Sequence, residues 1–206
     1  SKGIGRGDFV FINLPRGAMV YVAALGIIRA GGAFVVLEAS APAARAEYIK
    51  NDCSCKLTLN QQNWDEVIRQ KSFDGWIETE PDDPLCAIYT SGTTGKPKGA
   101  VHLRSFLERN LEAFNYKGEY LLSHGPNFGV IFPLNFVAFE ISTIITYYGG
   151  TIFVLDYNTV KTPHLLYNYL EDNKIEGTFM TPSLLKAYRK VNTYLKQIYI
   201  GGEVAT

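Results

Sequence analysis

Tyr89-Thr90-Ser91-Gly92-Thr93-Thr94-Gly95-Lys96-Pro97-Lys98-Gly99 is the stretch on which the reading of this chain turns. Glycine lets backbone N–H groups approach an oxyanion closely and tolerates positive φ. The hydroxyls of Thr90, Ser91, Thr93 and Thr94 can donate to phosphate oxygens, and Lys96 and Lys98 add positive charge. The apolar run Leu85-Cys86-Ala87-Ile88-Tyr89-Thr90 has strand length, so the loop opens where ligand crevices form in α/β sheets. The ordinary P-loop pattern G-x-x-x-x-G-K-[ST] fails here: Gly92 stands only three residues before Gly95, and Pro97 follows Lys96. By composition alone, a solvated Gly/Thr turn without a ligand stays open as the alternative.

Upstream of the loop, apolar runs alternate with helical periodicity. Asp8 to Leu14 reads as a buried strand, Ala18 to Ala30 as a helix ending at Gly31-Gly32, and Ala33 to Glu38 as a second strand. A helix from Pro42 to about Asp52, a strand over Cys55 to Leu59 and a short helix over Trp64 to Gln70 follow. Strand–helix alternation predicts a parallel sheet covered by helices. Ser72 to Pro84 is a polar connection, and Val101 to Phe114 is expected to be mostly helix. Downstream, Tyr120 to Ser123 reads as a strand, Phe136 to Tyr148 as an apolar helix and Thr151 to Leu155 as a strand. Thr162 to Asn173 reads as a helix, Gly177 to Met180 as a strand, Pro182 to Lys190 as a helix and Ile198 to Ile200 as the last strand. The expected fold is therefore α/β, with two parallel-sheet subdomains covered by helices, residues 1–114 and 115–206.

Composition excludes several function classes. At 206 residues and 47% hydrophobic the chain can bury a real core, and 20 basic residues balance 20 acidic ones. No basic stripe invites nucleic acid. The apolar stretch Met19 to Ile28 is short of the roughly 20 residues that span a bilayer, and residues 1–8 lack the apolar core of a signal peptide. Neither a nucleic-acid nor a membrane partner is expected. Cys53, Cys55 and Cys86 form no regular framework, which fits reduced thiols in the cytoplasm, and without further ligands at metal spacing they predict no metal site. His102, His124 and His164 have no neighbours that give them catalytic or ligating work. Both ends look abrupt, as in a piece cut from a longer polypeptide.

Tyr89 to Gly99 resembles the signature phosphate loop of the adenylate-forming (AMP-binding) superfamily, which includes acyl-CoA synthetases, luciferases of the firefly type and the adenylation domains of nonribosomal peptide synthetases. Other segments match in the right order. Leu25 to Glu38, with Pro42, Arg45 and Tyr48-Ile49, is similar to an upstream motif of peptide-synthetase adenylation domains, although Val36 and Glu38 stand where Pro and Asp are usual. Thr178 to Leu185 and Ile198 to Glu203 resemble the family's later strand–helix and strand–turn elements. The resemblance spans nearly the whole chain and favours the peptide-synthetase branch, with the chain as part of the large N-terminal domain.

The resemblance implies a function. A carboxylate attacks the α-phosphate of ATP to give an acyl-adenylate and pyrophosphate. A thiol, phosphopantetheine on a carrier-protein domain or coenzyme A, then takes the acyl group. Thr90, Ser91, Gly92, Thr93, Thr94, Gly95 and Lys98 are expected to hold the phosphates, with Mg2+, and Gly201, Gly202 and Glu203 to lie against the adenine. The nucleotide is expected in the crevice between the subdomains. Asn135, Phe136, Val137, Glu140, Phe179, Tyr199 and Gly201 are the expected acid-pocket positions. Amino-acid-activating relatives place an Asp at the first helix position to pair with the substrate ammonium. This chain has Phe136 there, or Asn135 with one gap, so the expected acid lacks a free α-amino group, or else Glu140 takes the amine. The Mg2+-binding Glu, the ribose-gripping Asp and the mobile domain with its catalytic Lys would follow Thr206, in the remainder of the polypeptide. The 206 residues alone are therefore expected to be inactive. A stand-alone acyl- or aryl-acid CoA ligase and a non-catalytic binding module that keeps the fold are the competing readings.

Overall fold

A computed structural model describes residues 2–71, 75–91, 96–115, 121–188 and 192–203. They fall into two compact units: residues 1–108 with 134–137, and residues 109–133 with 138–206.

The first unit is built on strands β1 (Phe9–Asn13), β2 (Ala33–Val36), β3 (Leu57–Asn60), β4 (Pro84–Ser91) and β5 (Pro97–Leu103). Their order in the sheet is β3-β1-β2-β4-β5. The first four pair in parallel because a crossover helix joins each to the next: α1 (Ala18–Arg29), α2 (Ala43–Asp52) and α3 (Gln61–Ile68). α3 starts where the sequence gives it a cap, with the Asn60 carboxamide accepting from the amides of Gln62 and Asn63. Phe11, Val35, Leu37, Ile49, Ala87 and Tyr89 pack as a core between sheet and helix. Arg104, at the start of α4 (Arg104–Asn115), is buried and donates to the carbonyls of Gly32 (2.9 Å) and Ile28. A cation there complements the carboxyl end of α1, and desolvation holds its pKa below the usual guanidinium value.

The second unit carries β6 (Asn127–Val130), β7 (Thr151–Val154), β8 (Gly177–Met180) and β9 (Gln197–Ile200), all parallel, in the order β7-β6-β8-β9. Helices α5 (Val137–Ser142) and α6 (Ile144–Tyr147) precede β7; α7 (Tyr157–Lys161) and α8 (Pro163–Asp172) precede β8; α9 (Pro182–Ala187) precedes β9. The core here gathers Ile131, Leu155, Leu166, Leu170, Ile175 and Met180.

Three sequence expectations are corrected. Val101 does not begin a helix: 97–103 is a strand antiparallel to β4, and the helix starts at Arg104. The strands on either side of the Gly-rich stretch pair antiparallel, and β5 takes up the hydrogen bonds that β4's outer edge would otherwise expose. Leu121–His124 is a 3-10 turn, Tyr120 lies outside the described residues, and the strand is Asn127–Val130, with Gly129 packed against Leu170 and Ile175. The helix expected over Phe136 to Tyr148 breaks at Thr143. There the Ser142, Thr143 and Thr146 hydroxyls donate to the carbonyls of Phe139, Glu140 and Thr143 and compete with the helical ladder. Thr162 to Asn173 is a helix as expected, α8, and α7, capped by Asp156, is a further helix ahead of it. Among the described residues, no helix is long and apolar enough to cross a membrane.

Gly125 has φ +62°, and a Cβ there would stand 2.4 Å from the Tyr148 carbonyl oxygen. Gly125→Ala is expected to cost roughly 2 kcal/mol or more through strain and this clash. A lower urea midpoint at unchanged slope is the expected result.

Candidate functional site

In the first unit the candidate site is the β4–β5 hairpin. The strands are in register Tyr89↔Gly99, Thr90↔Lys98 and Ser91↔Pro97. Directly opposed residues project to the same face, so the side chains of Thr90 and Lys98 share one face of the hairpin. Both side chains are exposed, as is that of Lys96. A hydroxyl paired across the strands with a lysine, and a second exposed lysine two residues before it, offer a donor set for an anion with several oxygens. Gly92, Thr93, Thr94 and Gly95, which join the two strands in sequence, lie outside the described residues.

Behind this exposed pair, Tyr89 is buried. Its hydroxyl donates to Asp52 Oδ2 at 2.7 Å, which meets a carboxylate set unfavourably at the carboxyl end of α2. Burial, with Asp52 close by, pushes the phenol pKa well above its usual value. The Tyr89 ring lies across Gly99: a Cβ at residue 99 would come 2.8 Å from Tyr89 Cζ. Gly99, the last glycine of the stretch, therefore answers to packing by Tyr89. Its signal in the sequence is the pairing of an aromatic with a glycine ten residues on, legible only once the hairpin register is known. His102 tilts against Phe106, ring centroids 4.8 Å apart, so it packs against α4.

Asn135, Phe136 and Val137 also belong to the first unit. Asn135 and Val137 are half-buried, and Phe136 is 41% exposed. The neighbouring Leu134 is buried, and its amide donates to Glu38 Oε1 at 3.0 Å.

In the second unit, β8 and β9 bring Phe179 opposite Tyr199, with ring centroids 4.9 Å apart. Phe128 and Phe132 meet the Phe179 ring edge-on at 5.8 and 5.6 Å. The Tyr199 hydroxyl donates to Gln197 Oε1, which also accepts from the Leu121 amide. Glu140 in α5 is 1% exposed, and Phe139 and Ile144 are buried with it. The chain leaves β9 into Gly201-Gly202, where the Gly201 amide donates to Met180 O and Gly202 has φ +87°. A Cβ at Gly201 would meet nothing within 4 Å, so a flat group can lie against the backbone there.

Glu203 is held in place. Its Oε2 accepts from the Ser183 hydroxyl at 2.6 Å and the Ser183 amide at 3.1 Å, at the start of α9. These bonds, the hydroxyl first, hold the carboxyl pKa below the usual Glu range. Sequence reading put Glu203 beside a nucleotide base and missed Ser183. The signal was Thr181-Pro182-Ser183, a helix start with a hydroxyl to spare.

The model of the family described as "AMP-binding enzyme" matches residues 1–205. A dimodular nonribosomal peptide synthase of Bacillus subtilis (strain 168) is 30% identical over 90% of this chain and 9% of its own length. Delta-poly-L-ornithine synthetase of Acinetobacter baumannii (strain AB307-0294) is 27% identical over 98% of the chain and 16% of its own. The chain thus spans under a fifth of the length of these relatives. Among solved structures, an O-succinylbenzoate coenzyme A synthetase from Bacillus subtilis in complex with AMP shares the fold, with a TM-score of 0.81 at 16% identity over 98% of this chain and 46% of that one. A nonribosomal peptide synthetase bound to α-methyl-L-serine-AMP gives 0.75 at 20% identity over 91% and 22%.

Ser183→Ala is expected to return the Glu203 pKa toward the ordinary Glu value, as read by carboxyl-carbon NMR across pH. The sign follows from the lowered pKa. The stability this bond contributes is present above the unfolded-state value and lost as pH falls through the folded one. An unmoved titration would contradict this.

Proposed function

The chain belongs to the AMP-binding enzyme family, and from that premise we propose that it forms the phosphate-holding part, and part of the acid-holding part, of an ATP-dependent domain that activates a carboxylic acid. The observation that carries this reading is the hairpin, which sets Thr90 and Lys98 side by side on an exposed face.

The carboxylate of the acid attacks the α-phosphorus, the bond to the bridging oxygen of the pyrophosphate breaks, and acyl-AMP and pyrophosphate result. Negative charge grows on the leaving pyrophosphate, so fixed donors lower the barrier. Lys98 neutralises that charge, and the Thr90 and Ser91 hydroxyls, with Gly92, Thr93, Thr94 and Gly95 of the joining stretch, donate to its oxygens. Cations and hydroxyls suit phosphate oxygens rather than a metal ion, so Mg2+ would arrive with ATP and share the neutralisation. Gly201 and Gly202 admit the flat adenine. Glu203, its carboxylate occupied by Ser183, fixes their turn.

The acid-side candidates fall in both units: Asn135, Phe136 and Val137 in the first, Glu140, Phe179, Tyr199 and Gly201 in the second. Phe179 and Tyr199 offer an aromatic wall. Neither Asn135 nor Phe136 supplies a charge for a substrate ammonium, which favours an acid without a free α-amino group. The peptide-synthetase relatives support a carrier-protein phosphopantetheine thiol as acceptor, and the thiols Cys53, Cys55 and Cys86, none of them in a disulfide, fit a cytoplasmic protein. Coenzyme A is the alternative acceptor.

ATP–pyrophosphate exchange by the full polypeptide that carries this chain tests the reading. Exchange is expected with an aryl or acyl acid and not with ordinary L-amino acids. Strong exchange with the latter would overturn the acid class, and no exchange with any acid would overturn the function. Lys98→Met is expected to lower exchange about 10²- to 10³-fold, the range for removing one donor from a developing anion.

A further inference from the structure

Glu38 lies just beyond β2 and is 8% exposed. Its Oε1 accepts two bonds, from Arg16 Nη1 at 3.2 Å and from the Leu134 amide at 3.0 Å. Arg16 is as buried as its partner, with side-chain exposures of 8% and 10%. A lone carboxylate in such a place would be costly, and the guanidinium offsets that cost. The chain around Glu38 is itself fixed: the Leu37 amide donates to Ile12 O, the Leu37 carbonyl accepts from Asn13 Nδ2, and the Ala39 amide donates to Leu14 O. The carboxylate is therefore a rigid acceptor presented to one backbone N–H.

That N–H belongs to a short segment with an unusual place in the fold. Leu134–Val137 packs with the first unit, although the residues on either side belong to the second. It carries Asn135, Phe136 and Val137, three acid-side positions of the function proposed above, and this inference rests on that reading. We propose that Glu38 is a positioning residue for acid recognition: its carboxylate, held by Arg16, fixes Leu134 and thereby sets where Asn135, Phe136 and Val137 stand. The length of the side chain matters. Asp at this position keeps the charge and the Arg16 partner but withdraws the oxygen by one methylene from the Leu134 amide. Gln keeps the shape and an acceptor oxygen and loses the charge.

The test uses the full polypeptide with Glu38→Asp and Glu38→Gln, read two ways. Hydrogen–deuterium exchange of the Leu134 amide is expected to rise about tenfold in Glu38→Asp and less in Glu38→Gln, since a bond to a charged acceptor contributes more than one to a neutral one. In ATP–pyrophosphate exchange, the acid KM is expected to rise about tenfold in Glu38→Asp while the ATP KM stays within about twofold. Unchanged Leu134 exchange in both variants would overturn the tether. Acid and ATP KM values that move in step would overturn the positioning role and leave Glu38 a stabilising residue only. Wild-type protein that activates no acid would overturn the proposed function and the positioning role with it, while the amide exchange still reports on the tether. Should Glu38→Asp fail to fold, the near-isosteric Glu38→Gln carries both measurements.

Discussion

The ring of Tyr89 lies across Gly99, and the hairpin that presents the candidate phosphate-binding residues depends on that contact. A side chain at 99 would meet the ring 2.8 Å away and force it aside, along with its hydroxyl bond to Asp52. The register follows from the same fit. Because Tyr89 faces Gly99, Thr90 faces Lys98, and a slip by one residue would turn the ammonium to the opposite face.

Both units solve one problem in the same way. Parallel strands send their loops out at their carboxyl ends, and a loop that must hold a ligand has to be kept still. Each is pinned by a polar bond to a fixed neighbour: Tyr89 to Asp52 at the end of α2, Glu203 to Ser183 at the start of α9, and the Leu134 amide to Glu38. In each case a carboxylate accepts from a neutral donor. Glu203 ties together loops that leave two adjacent strands, since Thr181 follows β8 and Gly201 follows β9.

Much of the architecture was legible in the residues. The alternation of apolar strand runs with helical spacing located β1 to β4 and β7 to β9; for β1 and β2, buried on both faces, the apolar run is continuous. What escaped was set by pairing over distance. Pro97 to Leu103 reads as loop and helix start by local composition, and only the need to cover the outer edge of β4 makes it a strand. β6 was hidden by Gly129, which lowers strand propensity yet makes room for Leu170 and Ile175. The Phe136 to Tyr148 helix looked continuous because apolar spacing does not register three hydroxyls bonding to local carbonyls. At the site, Thr90 and Lys98 were named from the loop's chemistry, but their juxtaposition was not. Ser183 and Leu134 were invisible because each meets its carboxylate across twenty residues or more.

β5 has a second consequence. It is the last strand of its sheet, and its residues are largely exposed. An uncovered strand edge is a template on which another chain can add a strand and begin a fibril. Lys98, exposed on this strand, puts a solvated charge beside that edge. Lys98 would thus serve solubility whatever it does at the proposed site, and a substitution there would expose the chain to self-association apart from any effect on chemistry.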